Sequence, residues 1–253
     1  MPWKQKKLNV SKTKNIYVVG TEDIAFFPHY GRRSNTSVEL DGFAHGFFLA
    51  LSEQTGLQLS FNPLPVRRLF HSLLVENDID FKYPDNPNWQ QELKSLYKVY
   101  YSKAISQYID GTFVHHQNML YKRSDIRKIG TIRGFTPEPY TGDIAQGDME
   151  LIELSQIEHM LNALIQKHVD AVYVNTDVAK YKLDSFALSQ QVIAFNPHLP
   201  YTVGNYYLST VKHPSVLKRI DAFIETNPDI IKELINRYQL TTESSITGRN
   251  LVE

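Results

Sequence analysis

The fold of this chain is decided by residues 42–87, GFAHGFFLALSEQTGLQLSFNPLPVRRLFHSLLVENDIDFKYPDNP. Apolar residues at helical spacing predict a helix over residues 42–55 and a second, shorter helix over 66–76. The alternating segment 57–62 predicts a strand, and 78–83 predicts another. Because strands and helices alternate in this stretch, it predicts a parallel sheet covered by helices.

The same alternation continues on both sides of this stretch. Residues 15–20, NIYVVG, predict a buried strand that comes before it. After it, further strands are predicted at residues 112–121, 128–132, 150–154, 169–175, 192–195 and 206–211. Helices are predicted at residues 156–167, 177–181, 215–226 and 228–238. The pattern therefore predicts a second α/β unit after the first.

Composition restricts the class of protein. The chain has 253 residues, enough to bury a sizeable core, and its 27 basic and 27 acidic residues cancel. This balance gives no long-range field that would favour nucleic acid. The chain has no cysteine, which excludes disulfides and thiolate metal sites. No apolar run approaches the roughly 20 residues of a membrane helix, and none follows the basic start as a signal peptide requires.

The common sequence motifs of enzymes and metal sites are not found. There is no HExxH, GxSxG, GxxxxGK[ST] or GxGxxG. His115 and His116 are neighbours on a predicted strand and would point to opposite faces, so they do not chelate together. The acidic residues from Glu138 to Glu150 are expected in a solvated loop, although sequence leaves open an acid/base pair that folding would assemble. We therefore expect no catalytic residue, metal or cofactor.

The order of these elements resembles the bacterial extracellular solute-binding proteins of family 3, the type II periplasmic binding proteins for amino acids and similar solutes. FFPHYG at residues 26–31 looks like the first ligand loop of that family. IGTIRGFTPEPY at 129–140 looks like the nest that begins the ligand-binding helix of the second lobe. The two predicted helices within 214–238 look like the closing helices. The resemblance extends over residues 15–240.

The resemblance implies an α/β, two-lobed periplasmic binding protein type II fold, in which each lobe is a mainly parallel sheet flanked by helices. Lobe one would comprise residues 1–104 and 209–253, and lobe two would be the inserted residues 105–208. Extended crossings near 101–109 and 206–211 would form a two-strand hinge that rotates as the lobes close on ligand.

A candidate anion site lies at Arg133 and Gly134. Glycine lets the backbone approach a ligand closely, and the amides at a following helix start attract anions. Arg133 would add a bidentate grip on a carboxylate, and Phe135 belongs to the same binding segment. The alternative is that Arg133 is a surface charge beside an ordinary turn.

Five other side chains are candidates for the ligand site. Tyr30, Tyr83 and Trp89 are expected as aromatic walls, with core packing as the alternative. Asp85 follows the third strand and either fixes a polar ligand group or caps a turn. Asn175 ends an apolar strand, where a polar residue must find a partner, and is expected to face the cleft.

Two departures from the family pattern concern the ligand. Residues 84–94, PDNPNWQQELK, lack the arginine with which amino-acid-binding members grip a carboxylate, and lysine does not replace its bidentate geometry. Asn175 stands where the family often has an aspartate for the ligand's ammonium group. Both parts of the amino-acid signature are therefore weakened.

The resemblance implies an extracytoplasmic solute-binding protein, not an enzyme. It would capture a small polar molecule, amino-acid-like or a small carboxylate, in the interlobe cleft for an ABC-type transporter. Its partners would be that ligand and a membrane permease, without nucleic acid. It would be a periplasmic monomer, and the sequence itself shows no signal peptide. The alternatives are the ligand-binding module of a signalling system and a lyase or dehydratase on the same fold.

Overall fold

The apolar residues after Asn15 form a strand at the centre of a parallel group. In the computed structural model, which describes residues 15–32, 39–185 and 192–243, this strand pairs in parallel with a neighbour on each side. The elements of this part of the chain are β1 (Ile16–Glu22), β2 (Gly31–Arg32), β3 (Leu40–Asp41), α1 (Phe43–Thr55), β4 (Gln58–Leu64), α2 (Val66–His71, continued by a π-helical turn over Ser72–Glu76), β5 (Phe81–Asp85), α3 (Gln91–Lys94) and β6 (Tyr100–Tyr101).

Strands β4, β1 and β5 are parallel neighbours, and together with β6 we call them the first sheet half. Helix α1 covers them with an apolar face that includes the buried side chains of Phe43, Phe47 and Leu51. Helix α1 ends at Gly56, whose backbone has φ +68° and whose amide donates to the carbonyl of Ser52. Glycine is suited to this position because its left-handed conformation costs other residues energy.

The remaining elements form a second group of strands and the closing helices. They are β7 (Ser106–His115), β8 (Lys128–Ile132), α4 (Thr141–Gln146), β9 (Glu150–Leu154), α5 (Ile157–Ile165), β10 (Ala171–Asn175), α6 (Thr176–Ser185), β11 (Ile193–Phe195), β12 (Tyr201–Thr210), α7 (Pro214–Thr226) and α8 (Pro228–Arg237). Strands β10, β8 and β9 are parallel neighbours, and β7 runs antiparallel to β10 and β11. We call these five strands the second sheet half.

Strand β12 joins the two sheet halves. From Tyr201 to Tyr206 it pairs antiparallel with β7, in the second half. From Tyr207 to Thr210 it pairs with β5 and β6, in the first half. Helices α7 and α8 follow β12 and pack against α1, so the end of the described chain returns to the first half.

The predicted alternation of strands and helices is confirmed, with differences at particular ends. The strand predicted over 112–121 ends at His115, because His116–Asn118 form a 3-10 turn. His115 and His116 are therefore not neighbours on one strand, and the argument that their side chains point to opposite faces of a sheet does not apply. Helix α4 lies in what was expected to be a loop, and β12 begins five residues earlier than predicted, at Tyr201. Within the described ranges, no helix is long and apolar enough to cross a membrane.

Candidate functional site

A cavity of about 610 Å³ lies at the carboxyl ends of β1, β5 and β8. Its walls come from both sheet halves. The first half contributes the loop after β1, helix α2 and the loop after β5, and the second contributes β7 and the segment after β8, with β12 also lining the cavity. Ligands of open α/β sheets bind at carboxyl strand ends, and pockets of 300–1,000 Å³ are typical of small-molecule sites. This cleft is therefore the candidate site.

Six aromatic side chains line the cleft: Phe26, Tyr30, Phe70, Trp89, Phe135 and Tyr206. The ring of Phe26 stacks on Tyr30 at 5.1 Å between centroids and meets Phe135 edge-on at 5.5 Å. Because Phe26 follows β1 and Phe135 follows β8, this contact connects the two sheet halves. Tyr30, Trp89 and Phe135 were named from sequence as ligand contacts, and the structure brings all three to the same cavity.

The charged groups of the cleft wall are carboxylates. Four of them line it: Glu22, Glu92, Asp110 and Glu138. Among the described residues that line the cleft, none is Lys, Arg or His. Glu138 is exposed, as expected for a loop carboxylate, but it lies at the edge of the cleft rather than on an unrelated surface.

Glu22 is the last residue of β1, and its side chain is buried. It accepts a hydrogen bond of 2.5 Å at Oε2 from the Tyr30 hydroxyl, and burial raises its pKa, an effect that nearby Lys82 opposes. The described part of the chain supplies no hydrogen-bond donor to Oε1 of this carboxylate. Glu22 therefore presents one carboxylate oxygen without a protein donor in a cavity of aromatic rings.

Asp110 lies in the middle of β7, on the opposite side of the cleft. Its Oδ1 accepts a hydrogen bond of 3.2 Å from Nδ2 of Asn175. Burial raises the pKa of Asp110 to about 7, and the carboxylates of Glu138 and Glu22 add to the shift because like charges repel. Asp110 thus exchanges its proton near neutral pH.

Asn175 lies at the end of β10 and is buried, and it does not line the cleft. Its Oδ1 accepts from the backbone amides of Asp177 and Val178 at 3.0 and 3.2 Å, which caps the start of α6. Nε2 of His29, from the first sheet half, lies 3.1 Å from the same Oδ1 and 3.3 Å from Oδ2 of Asp177. Asn175 thus acts behind the cleft wall, where it orients Asp110 and contacts the opposite half.

The predicted anion segment has two of its three residues in the cleft wall. Gly134, with φ +90°, and Phe135 line the cleft, whereas the side chain of Arg133 is exposed and is not among the lining groups. The three backbone amides already have protein acceptors: Arg133 N donates to the Leu154 carbonyl at 2.8 Å, Gly134 N to Oε1 of Glu153 at 3.0 Å, and Phe135 N to the Ile132 carbonyl at 2.9 Å. A carboxylate of the protein therefore occupies the position expected for a ligand's anion.

Tyr83 and Asp85 lie beneath the cleft wall, not in it. Tyr83 is fully buried between aromatic rings, and its hydroxyl has no hydrogen-bond partner in the described part of the chain. Asp85 is also fully buried and accepts from Nζ of Lys94 at 2.7 Å and from the Ser209 hydroxyl at 2.6 Å. These contacts tie β5 to α3 and β12, and they give Asp85 protein partners in place of a ligand.

Glu22, Asp110 and Tyr206 are among the residues of the cleft wall that sequence reasoning did not name as site residues. Glu22 carried a usable signal, because a charged residue that ends a buried strand needs a partner, the reasoning applied to Asn175. Asp110 directly follows one of the two extended segments predicted as the hinge, 101–109, and Tyr206 begins the other, 206–211. Three or more metal-ligating side chains do not come together anywhere in residues 15–32, 39–185 or 192–243.

No protein-family model matches the sequence, and no curated protein matches it. Several solved structures, in contrast, are similar to the structure of this chain. An ancestral arginine-binding protein bound to arginine superposes with a TM-score of 0.70 at 18% identity, over 88% of this chain and 97% of that one. An arginine transport system periplasmic binding protein from Legionella pneumophila gives 0.69 at 18% identity, over 88% and 98%.

A third similar structure is named as a domain and not as a transport protein. The periplasmic VFT2 domain of BvgS from Bordetella pertussis superposes with a TM-score of 0.68 at 13% identity, over 88% of this chain and 93% of that domain. At these identities the similarity establishes the fold. The chain has the predicted α/β fold of the two-lobed periplasmic binding proteins, in which mainly parallel strands are flanked by helices.

Proposed function

We propose that the chain is an extracytoplasmic solute-binding protein that closes on a small polar molecule and releases it unchanged. The cleft carries this proposal: a cavity of about 610 Å³ is lined by both sheet halves and lies at carboxyl strand ends. Similar structures include proteins named for binding arginine, a molecule that a cavity of this volume accommodates. The site residues that we propose to contact the ligand are Tyr30, Trp89, Gly134 and Phe135, joined by Glu22, Asp110 and Tyr206.

The proposed motion is a rotation of two lobes about β7 and β12. We propose residues 1–104 and 209–253 as one lobe and 105–208 as the other. The change of partner along β12, from β7 at Tyr206 to β5 at Tyr207, supports a hinge at this point. The contacts between Phe26 and Phe135, and between His29 and Asn175, would separate when the lobes open for ligand entry.

The proposed role is delivery of the solute to an ABC-type permease from the periplasm, by a monomer without catalytic activity. The resemblance to transport-system binding proteins supports this role. A sensory module is the second candidate, because a BvgS domain superposes nearly as well as the transport proteins. Uptake of labelled ligand by vesicles that contain the cognate permease separates the two, since a sensory module would not stimulate uptake.

A thermal-shift screen of the purified chain, followed by calorimetric titration, tests the binding function. The panel contains amino acids, small carboxylates, amines, sugars and short peptides. We expect at least one solute to raise the melting temperature and to bind with one-to-one stoichiometry, because a ligand that binds the folded state stabilises it. Recovery of the solute unchanged, checked by NMR, would exclude a dehydratase activity on that solute. A panel without any stabilising solute would contradict the proposal.

A further inference from the structure

We infer that the ligand is a small organic cation recognised without a carboxylate group, held by Glu22, Asp110 and Glu138 against aromatic rings. The inference rests on the proposed solute-binding function and specifies the chemistry of the same cleft. It differs from the amino-acid-like or small-carboxylate ligand expected from sequence, because the described cleft wall offers acceptors and ring faces rather than cationic donors.

The charge balance around the cleft leaves negative charge in its wall. The nearest buried cations are Lys82 and Lys94, which lie behind the wall. Both are engaged by the protein: Nζ of Lys82 donates to the Pro84 carbonyl at 2.5 Å, and Nζ of Lys94 donates to Asp85 at 2.7 Å. These two ammonium groups balance the carboxylates of Asp85 and Glu22. They leave Asp110 and Glu138 without a balancing charge among the described residues that line the cleft.

Side-chain oxygens of the cleft wall that have no protein hydrogen-bond partner also favour a cationic ligand. Glu22, whose residue is 4% exposed, has a protein donor at Oε2 and none from the described residues at Oε1. Asp110 has a donor at Oδ1 and none from the described residues at Oδ2. The hydroxyl of Tyr206, 2% exposed and part of the cleft wall, has no hydrogen-bond partner in the described part of the chain. None of these three atoms is among the fully enclosed atoms that lack a partner, so each is open to the cavity. Ammonium or guanidinium N–H groups in the cavity would donate to both carboxylates.

The aromatic rings complete a site for a cation. Trp89, Tyr206, Phe26 and Phe135 lie around the carboxylates and line the same cavity. The negatively polarised faces of such rings attract ammonium and guanidinium groups, as Trp89 already does for Nζ of Lys82, which lies 5.4 Å from its ring centre. Glu22, which is 4% exposed, lies among these rings, and a lower local dielectric strengthens its attraction for a cation.

Among the described residues that line the cleft, no cationic side chain is present to pair with a ligand carboxylate. The amides of Arg133, Gly134 and Phe135 donate to protein acceptors, among them the carboxylate of Glu153. A ligand that carried its own carboxylate would therefore approach Glu22 and Asp110 without a cationic side chain of the described lining to compensate the repulsion. Such repulsion is how a site rejects a close analogue.

Matched pairs of probes that differ by one carboxylate test the inference directly. Agmatine is arginine without its carboxylate, and cadaverine is lysine without its carboxylate. By titration calorimetry at pH 8, we expect agmatine and cadaverine to bind at least about tenfold more tightly than arginine and lysine, because an unpaired carboxylate in an acidic site is costly.

Variants of the chain identify the groups responsible. We expect Asp110→Asn to weaken the cation that binds best by about tenfold or more, because it removes a charge that the cation pairs with. We expect Glu22→Gln to weaken it less, because Lys82 already opposes the charge of Glu22. Glu150→Gln is the matched control: Glu150 is an exposed carboxylate of the second sheet half, paired with Lys128 at 3.4 Å away from the cleft, and its variant should bind normally. Melting temperatures of all variants separate lost binding from lost folding. If Glu22→Gln fails to fold, Asp110→Asn alone decides the outcome.

The possible results separate this inference from the proposed function. Tighter binding of agmatine or cadaverine than of its parent amino acid, lost in Asp110→Asn, supports a cation site. Equal or tighter binding of arginine or lysine, or selective binding of succinate or a sugar, overturns the inference and leaves solute binding intact. A chain that binds none of the panel contradicts both.

Discussion

The side chain of Asn175 donates a hydrogen bond from Nδ2 to Oδ1 of Asp110 over 3.2 Å. Its other side-chain atom, Oδ1, accepts from two backbone amides at the start of α6 and lies 3.1 Å from Nε2 of His29. One amide group therefore orients a cleft carboxylate, caps a helix and contacts the opposite sheet half. An aspartate at this position would lack the donor for Asp110 and would add a third carboxylate beside Asp177.

Two substitutions at Asn175 separate these roles. Asn175→Ala removes both the helix cap and the bond to Asp110, and we expect it to lower the free energy of unfolding by about 2 kcal/mol. Asn175→Ser keeps a capping oxygen but is too short to hold Asp110, so its stability loss should be about half as large. Both variants should bind the ligand more weakly, because Asp110 is no longer oriented. Chemical denaturation and calorimetry measure the two effects, and wild-type stability of Asn175→Ala would contradict the capping role.

Asp110→Asn should stabilise the ligand-free protein while it weakens binding. The folded chain raises the pKa of Asp110 to about 7 from an ordinary value of 3.8, so the unfolded state loses this proton first as the pH rises. The stabilisation present below about pH 4 is therefore lost progressively as the pH rises through 7. Asparagine avoids this loss, and we expect a gain on the order of 1 kcal/mol at pH 7.5, after allowance for partial solvent screening. A lower melting temperature of Asp110→Asn across pH 6–8 would contradict the sign of this effect.

The affinity for a cationic ligand should rise with pH. A cation pairs with the ionised form of Asp110, and with a pKa of about 7 most of that group is protonated at pH 6 and ionised at pH 8. We expect agmatine, which stays cationic in this range, to bind about tenfold more tightly at pH 8 than at pH 6. Glu22 and Glu138 on the cleft wall, and Asp177 and His29 behind Asn175, also face this region. The same titration of the Asp110→Asn variant isolates the contribution of Asp110, because the affinity of this variant for agmatine should be nearly independent of pH. An equal pH dependence in the wild type and the variant would assign the effect to another group.

Arg133→Ala should leave binding almost unchanged. The side chain of Arg133 is exposed, and its backbone amide, which the substitution retains, makes the hydrogen bond to Leu154. We expect affinity for agmatine within about twofold of wild type and a melting temperature within about 1 °C, as for surface substitutions in general. Loss of binding in Arg133→Ala would contradict this expectation and would support the prediction from sequence that Arg133 binds an anionic group of the ligand.

The fold could be predicted from sequence because its signals are local and repeated. Strands β1, β4 and β10 are apolar or alternating runs bounded by glycine, proline or polar residues, and α1 has a clear apolar face that stops at Gly56. The misplaced ends have local physical reasons. His116–Asn118 make a 3-10 turn where the sequence has no glycine or proline to mark one, and α4 is short and mostly exposed, without an apolar face.

The candidate site was predicted less completely, because a cleft joins residues that are distant in sequence. Tyr30, Trp89, Gly134 and Phe135 were predicted through the order of elements, which puts loops at the carboxyl ends of strands, and all four line the cleft. The acidic character of the cleft could not be foreseen, since Glu22 and Asp110 are separated by 88 residues and come together through the pairing of β12 with both halves. Likewise, the engagement of the Gly134 amide by Glu153 depends on β8 and β9 being neighbours.

The most direct test of a closing cleft is a distance between its two rims. The chain has no cysteine, so spin labels can be placed at Gln91→Cys and Thr141→Cys, exposed positions on opposite rims of the cleft, without removing native thiols. A control pair, Gln91→Cys with Val75→Cys, has both labels in the first proposed lobe, on α3 and on the turn that continues α2. Distances are measured by pulsed electron–electron double resonance without and with saturating agmatine. The distance between the rims should be long and broadly distributed without ligand, and shorter and narrowly distributed with it. The control distance should be the same in both conditions. A rim distance that is the same in both conditions, with agmatine or any other solute that binds, would contradict a two-lobed protein that closes on its ligand.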